Sequence, residues 1–142
     1  DDAEDPFVRA VGGATYLPTP TTTLSGELYL QTFGGSDPSE YLEVALSERF
    51  SRSEVWSLGR TYAALAVGQQ ITPILQSNVG LVMNLEDPSM LVAPSLAWSA
   101  GNNTSVSVGA YVGIGERPDL TSLKSEFGLY PSAVFTQMSA YF

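Results

Sequence analysis

The sequence predicts an all-β chain, a single domain over residues 1–142 in which eight antiparallel strands close an up-and-down barrel. Three observations carry this. Apolar and polar residues alternate with period two in eight segments of about ten residues. Residues with turn chemistry separate those segments. Charge is sparse: 15% of the residues are charged, against roughly 25% in an ordinary soluble domain, and Lys124 is the single lysine.

The strands follow in order. Residues 7–17 set Val8, Ala10, Ala14 and Tyr16 against Arg9, Gly13 and Thr15. Residues 24–33 set Leu24, Leu28 and Leu30 against Ser25, Glu27, Tyr29 and Gln31. Residues 41–50 set Leu42, Val44 and Leu46 against Glu43, Ala45, Ser47 and Arg49. That third segment also reads as a helix, because Leu, Glu, Ala and Arg favour helices and Ser36 or Ser39 supplies a cap. Its unbroken alternation favours a strand. Residues 61–71 oppose Ala63, Leu65 and Val67 to Tyr62, Ala64, Gly68 and Gln70; residues 74–84 oppose Leu75, Val79, Leu81 and Met83 to Gln76, Asn78, Gly80 and Asn84. Residues 90–99 place Leu96 and Trp98 opposite Ser95, Ala97 and Ser99. The clearest alternation is 104–115, with Val106, Val108, Ala110, Val112 and Ile114 on one face. The last strand is 132–142. Turns rich in Pro, Gly, Asn, Asp and Ser fall between them, and the longest connection is the loop 116–131.

Composition excludes several kinds of chemistry. Fifteen acidic residues face six basic ones, so the chain lacks the basic stripe that neutralises nucleic-acid phosphates, and no nucleic-acid partner is expected. Cys and His are absent, which rules out disulfides, thiolate nucleophiles, the usual zinc sites and Ser-His or Cys-His catalysis. No enzymatic activity, metal or cofactor is expected. No apolar run reaches the length of a membrane helix. An exported chain would have Asp1-Asp2 as its mature start.

Alternation alone does not say which face is inside. A soluble barrel encloses its apolar face; a membrane barrel turns that face to lipid. Here the faces opposite the apolar rows are rich in Gly, Ala, Ser, Gln and Asn, which suit a narrow lumen, and the chain has one lysine in all where a soluble exterior would carry many. The expectation is therefore a transmembrane barrel. Aromatic residues near the strand ends (Tyr16, Phe50, Trp56 and Tyr130 at one rim, Trp98 with Phe7 and Phe142 at the other) match the girdles such barrels carry. With eight strands, the short connections 34–40, 69–73 and 99–104 fall on the rim of the termini and the others on the opposite rim.

In this pattern, and in the closing stretch Ser132–Phe142, the chain resembles small bacterial outer-membrane β-barrels of the OmpA/OmpX type. The resemblance implies an outer-membrane protein in contact with the bilayer and lipopolysaccharide. It also implies an assembly signal read by the barrel-assembly machinery, carried here by Val134, Met138, Ala140 and Phe142, with Thr136 departing from the apolar series. No activity-bearing motif is shared.

One side-chain constellation stands out. Arg9, Glu27, Glu43, Arg49 and Arg60 all fall on the inward parity and would form a lumen charge network. Such a network reads either as a salt-bridged plug or as an ion-selective lining, and eight strands leave room only for side chains, which favours the plug. The function expected is a structural anchor or a recognition surface formed by external loops. The alternatives are a soluble lipocalin-like barrel with an apolar ligand, and a porin or channel built as part of a wider barrel or an oligomer.

Overall fold

The computed structural model describes residues 6–141. Among them the chain forms seven strands: β1 (Arg9–Thr19), β2 (Thr22–Gln31), β3 (Thr61–Thr72), β4 (Leu75–Asn84), β5 (Ser89–Gly101), β6 (Thr104–Ile114) and β7 (Ala133–Ala140). They make one open antiparallel sheet in sequential order, with β1 and β7 as its edges.

The eighth expected strand is helical. Residues 41–50 form α1 (Tyr41–Leu46) and most of α2 (Glu48–Ser51), preceded by a 3-10 turn at Pro38–Glu40. Local chemistry explains this. Asp37 caps the 3-10 turn by accepting from the Ser39 N–H at 2.9 Å, and Ser47 caps α2 by accepting from the Phe50 N–H at 3.3 Å. Tyr41 and Val44, three apart, are the buried side chains of α1 and pack with Leu58, Phe33, Phe50 and Leu123. Leu42 and Leu46, which alternation pairs with Val44, stay exposed.

The loss of one strand changes the sorting of connections. Three two-residue turns, Pro20-Thr21, Pro73-Ile74 and Asn102-Asn103, share one rim. The connections 32–60, 85–88 and 115–132 share the other. The turn around Pro20 thus joins the short-turn rim, against the expectation from eight strands. Residues 9–19 begin at the rim of long connections and β7 finishes at the rim of short turns.

Register is the organising feature. Directly paired residues on adjacent strands project to the same face. Glu27 pairs Gly13 and Ala64, Ala64 pairs Val82, Val82 pairs Leu91, and Leu91 pairs Gly113. In the other parity Leu28 pairs Ala63, Ala63 pairs Met83, Met83 pairs Met90, and Met90 pairs Ile114. Followed across all six ladders, the apolar rows of every strand merge into a single face. Leu24, Leu28, Leu65, Val67, Val79, Leu96, Trp98, Val108 and Met138 all lie on it, and all are exposed. The opposite face is small and polar. Its aromatic Phe135 is accommodated because its partner Gly109 has no side chain, so the ring lies over that glycine and stacks on Tyr111 at 5.3 Å.

The buried residues sit at the rim of long connections, hereafter the capped rim. Tyr41, Val55, Leu58 and Phe127 come from the connections and Tyr62 from β3. The segment around a second 3-10 turn, Phe127–Leu129, rests against β5 and β6. Gly128 lets this turn close against the start of its own connection, since a Cβ there would strike the backbone oxygen of Glu116. Gly128→Ala is therefore expected to cost about 2 kcal/mol through forced backbone displacement. Gly12→Ala, whose new methyl meets nothing within 4 Å, is expected to be neutral or slightly stabilising. Equilibrium unfolding of the two variants checks the contrast; equal midpoints would show that Gly128 does not pack closely against Glu116.

Candidate functional site

The capped rim holds a buried polar cluster assembled from distant parts of the chain. Glu126, 3% exposed, is its centre. One carboxylate oxygen accepts from the Leu58 N–H at 3.0 Å. The other accepts from the Tyr62 hydroxyl and from Asn84 Nδ2, the latter at 2.9 Å. The Glu126 N–H donates to Asp87 Oδ2 at 2.9 Å. Asn84 Nδ2 also reaches the Tyr41 hydroxyl at 2.8 Å and Asp87 Oδ2 at 3.2 Å. Neighbouring bonds extend the cluster: Tyr62 accepts from the Gly59 N–H at 2.6 Å, and Ser89 Oγ accepts from the Phe127 N–H at 3.3 Å. Three strands and all three long connections are tied together by these bonds.

Electrostatics follow from burial. Burial is the main cause that raises the Glu126 carboxyl above its ordinary 4.5, opposed by the donors from Tyr62, Leu58 and Asn84. Burial also holds the Tyr41 phenol well above its ordinary range, with the Asp87 carboxylate beside it. Tyr130 shifts in the same direction, through burial and then the charge of Glu126. At the exposed end of the same connection the reverse holds for Asp119. The Thr121 N–H leads a set of donors, with the Thr121 hydroxyl and Ser122, that keeps its carboxyl far below the usual range.

Beside this cluster, on the small polar face, lies a recess of about 470 Å³. Its floor is Arg9, Glu27, Tyr29, Ala64 and Val82 from β1 to β4; its rim is Trp56, Ser57, Phe127 and Tyr130 from the connections. Edge-on aromatic contacts run through it, from Tyr29 to Tyr62 at 6.1 Å and from Tyr62 to Phe127 at 6.4 Å.

The five residues expected in a lumen charge network divide. Arg9 and Glu27 share the polar face and line this recess. Glu43 and Arg49 do not point into a lumen, because their segment is helical: Glu43 lines a surface groove beside α1, and Arg49 is buried with its guanidinium 4.8 Å from the Phe7 ring and 5.2 Å from Phe33. Arg60 precedes β3 and donates through Nε to the Gly34 carbonyl at 2.6 Å. Among the described residues Arg52 pairs with Glu48 and Glu54, and Lys124 with Asp119; none of the five pairs with another of the five.

The aromatic series divides as well. Tyr16 and Trp98 lie on the apolar face near the short-turn rim, so Tyr16 joins Trp98 rather than the opposite set. Phe50 packs into the cap, and Trp56 and Tyr130 line the recess. Of the terminal series, Val134, Met138 and Ala140 share the apolar face of β7, and Phe142 lies outside the described residues. Sequence reasoning placed Tyr62 and Asn84 on the inward parity but gave no role to them, to Asp87 or to Glu126. The available signal was the charge of that loop: Glu116, Arg117, Asp119, Lys124 and Glu126 all fall within residues 116–131 of an otherwise sparsely charged chain.

The pH dependence has a defined sign. A carboxyl raised by folding contributes most to stability below its unfolded value near 4.5, and that contribution is lost as pH rises through the folded value. Glu126→Gln, the isostere of the protonated acid, should remove this component. The stability of the parent relative to that variant is expected to fall as pH rises from the unfolded value near 4.5 in urea unfolding, and a flat difference would contradict the assignment. Glu126→Ala strands three buried donors and should cost about 3 kcal/mol.

No protein-family model, curated protein or solved structure matches this chain.

Proposed function

We propose that this chain forms the wall of an integral β-barrel of a bacterial outer membrane, acting as a structural anchor or as a recognition surface through the connections of its capped rim. The observation that carries the reading is the continuous apolar face. It spans all seven strands among the described residues, and no buried hydrophobic residue lies on it. In water such a face would be a large exposed patch, far beyond the few hundred Å² that soluble monomers tolerate. Lipid is the solvent that fits it.

Other features support the same reading. The strands run 8 to 13 residues, the length a tilted strand needs to cross the hydrocarbon layer. Two-residue turns occupy one rim and long connections the other, as short periplasmic turns and longer external loops do in such barrels. On this reading the capped rim is external and β7 finishes at the periplasmic side, where the assembly machinery would read Val134, Met138 and Ala140. Tyr16 and Trp98 would sit at the periplasmic interface. The lipocalin-like alternative needs the apolar rows to face an enclosed interior, whereas the long connections lie over the opposite, polar face.

Spin labels on adjacent residues of β6 separate the two. At Val108 relaxation by oxygen should dominate, and at Ser107 relaxation by a water-soluble nickel chelate. The reverse pattern, or a monomer that stays in solution without detergent, would exclude a lipid-facing wall. The folded protein is also expected to change gel mobility on boiling.

A further inference from the structure

The recess at the capped rim contains two opposite charges that form no ion pair among the described residues. Glu126, Tyr62, Tyr29 and Ser57 are committed: Glu126 accepts three bonds, Tyr62 bonds Glu126, Tyr29 donates to Gln31 Oε1 at 2.8 Å, and Ser57 accepts from Gln31 Nε2 at 3.0 Å. Arg9 and Glu27 differ. Among the described residues neither side chain makes a hydrogen bond or an ion pair, and the contact of the Arg9 guanidinium is the Phe7 ring at 4.7 Å. Both line the same cavity.

Their separation sets the scale of what fits. Arg9 pairs with Gln31, and Glu27 lies four residues along β2 from it, on the order of 13 Å at strand rise. The Glu27 side chain leans across Gly13, where a Cβ would meet its Cγ at 2.7 Å, and so toward the strand that carries Arg9. The gap left between the charged ends is bridged by a molecule of about two or three residues' length. Guanidinium recognises a carboxylate through paired hydrogen bonds, and a carboxylate recognises an ammonium. Trp56, largely exposed, and Tyr130 line the same cavity and offer flat apolar surfaces. The volume lies within the range of small-molecule sites.

We infer that this recess binds a short zwitterionic peptide, its carboxylate on Arg9, its ammonium on Glu27 and its body against Trp56 and Tyr130. The inference rests on the polar face alone and holds whichever medium meets the apolar face, so its failure leaves the membrane reading untouched.

The test uses the full chain with Trp98→Phe, which leaves Trp56 as the single tryptophan, and far-ultraviolet circular dichroism to establish folding. The probe is the dipeptide Ala-Phe, read by Trp56 fluorescence. Saturable quenching is expected, weakened about tenfold when the dipeptide is N-acetylated or C-amidated. Arg9→Gln should weaken the parent dipeptide and leave the amide unchanged; Glu27→Gln should weaken the parent and leave the acetylated form unchanged. Equal binding of all three forms, or none by folded protein, would overturn the proposal. Tighter binding of glycerophosphoethanolamine than of Ala-Phe would overturn the peptide assignment in favour of a lipid headgroup.

Discussion

Strand register is the constraint on which the rest of this molecule depends. Because side chains alternate faces with each residue, a slip of one position in any ladder would invert every residue beyond it. Apart from shifts confined to the ends of three ladders beside the two-residue turns, six consecutive ladders keep the same parity, from Ala10 opposite Leu30 at one edge to Val134 opposite Ala110 at the other. The pairing of Leu28 with Ala63, or of Trp98 with Val106, contributes little alone. Together they divide the sheet into one apolar and one small, polar face. That division decides what may lie on each side, because burying Glu27 or Gln76 against lipid would cost several kcal/mol, as would exposing the rows of Leu and Val to water.

The cap answers a different demand. Long connections bring many backbone donors and acceptors to one rim, and each needs a partner once covered. Glu126 meets this by accepting from the Leu58 backbone and from side chains of β3 and β4 while its own N–H goes to Asp87. A charged acceptor serves better than a neutral one where several donors converge, since bonds to a carboxylate are the stronger kind. The cost is desolvation, visible in the upward displacement of the Glu126 carboxyl. The short-turn rim needs no such device, because two-residue turns leave few groups to satisfy.

How much of this was legible in the sequence depends on the range of the interaction. Period-two alternation is local, and the faces read from Val106–Ile114 or Leu24–Gln31 are the faces found. Residues 41–50 defeated the same reasoning because their pattern satisfies two periods at once. Tyr41 and Val44 lie on one helical side, while Leu42, Val44 and Leu46 alternate, and capping by Asp37 and Ser47 settles the outcome. Phe135, awkward on a polar face, needed its cross-strand partner Gly109 to make sense. The polar cluster was least legible. Glu126 meets Leu58 and Asn84 across 68 and 42 residues, and nothing near it in sequence announces those partners.

The number of strands carries a consequence for closure. Every neighbouring pair is antiparallel, so among the described residues β1 and β7, separated by six ladders, run in the same direction. A seam made directly between them would be parallel. A strand placed between them would have to run from the short-turn rim to the capped rim to be antiparallel to both. In lipid, unpaired edge groups cost several kcal/mol each, so a wall of this kind is complete only when both edges are paired. The recess shares that dependence in one respect: Arg9 stands at the start of the β1 edge, so whatever pairs with β1 will also fix how far the Arg9 side of the recess opens.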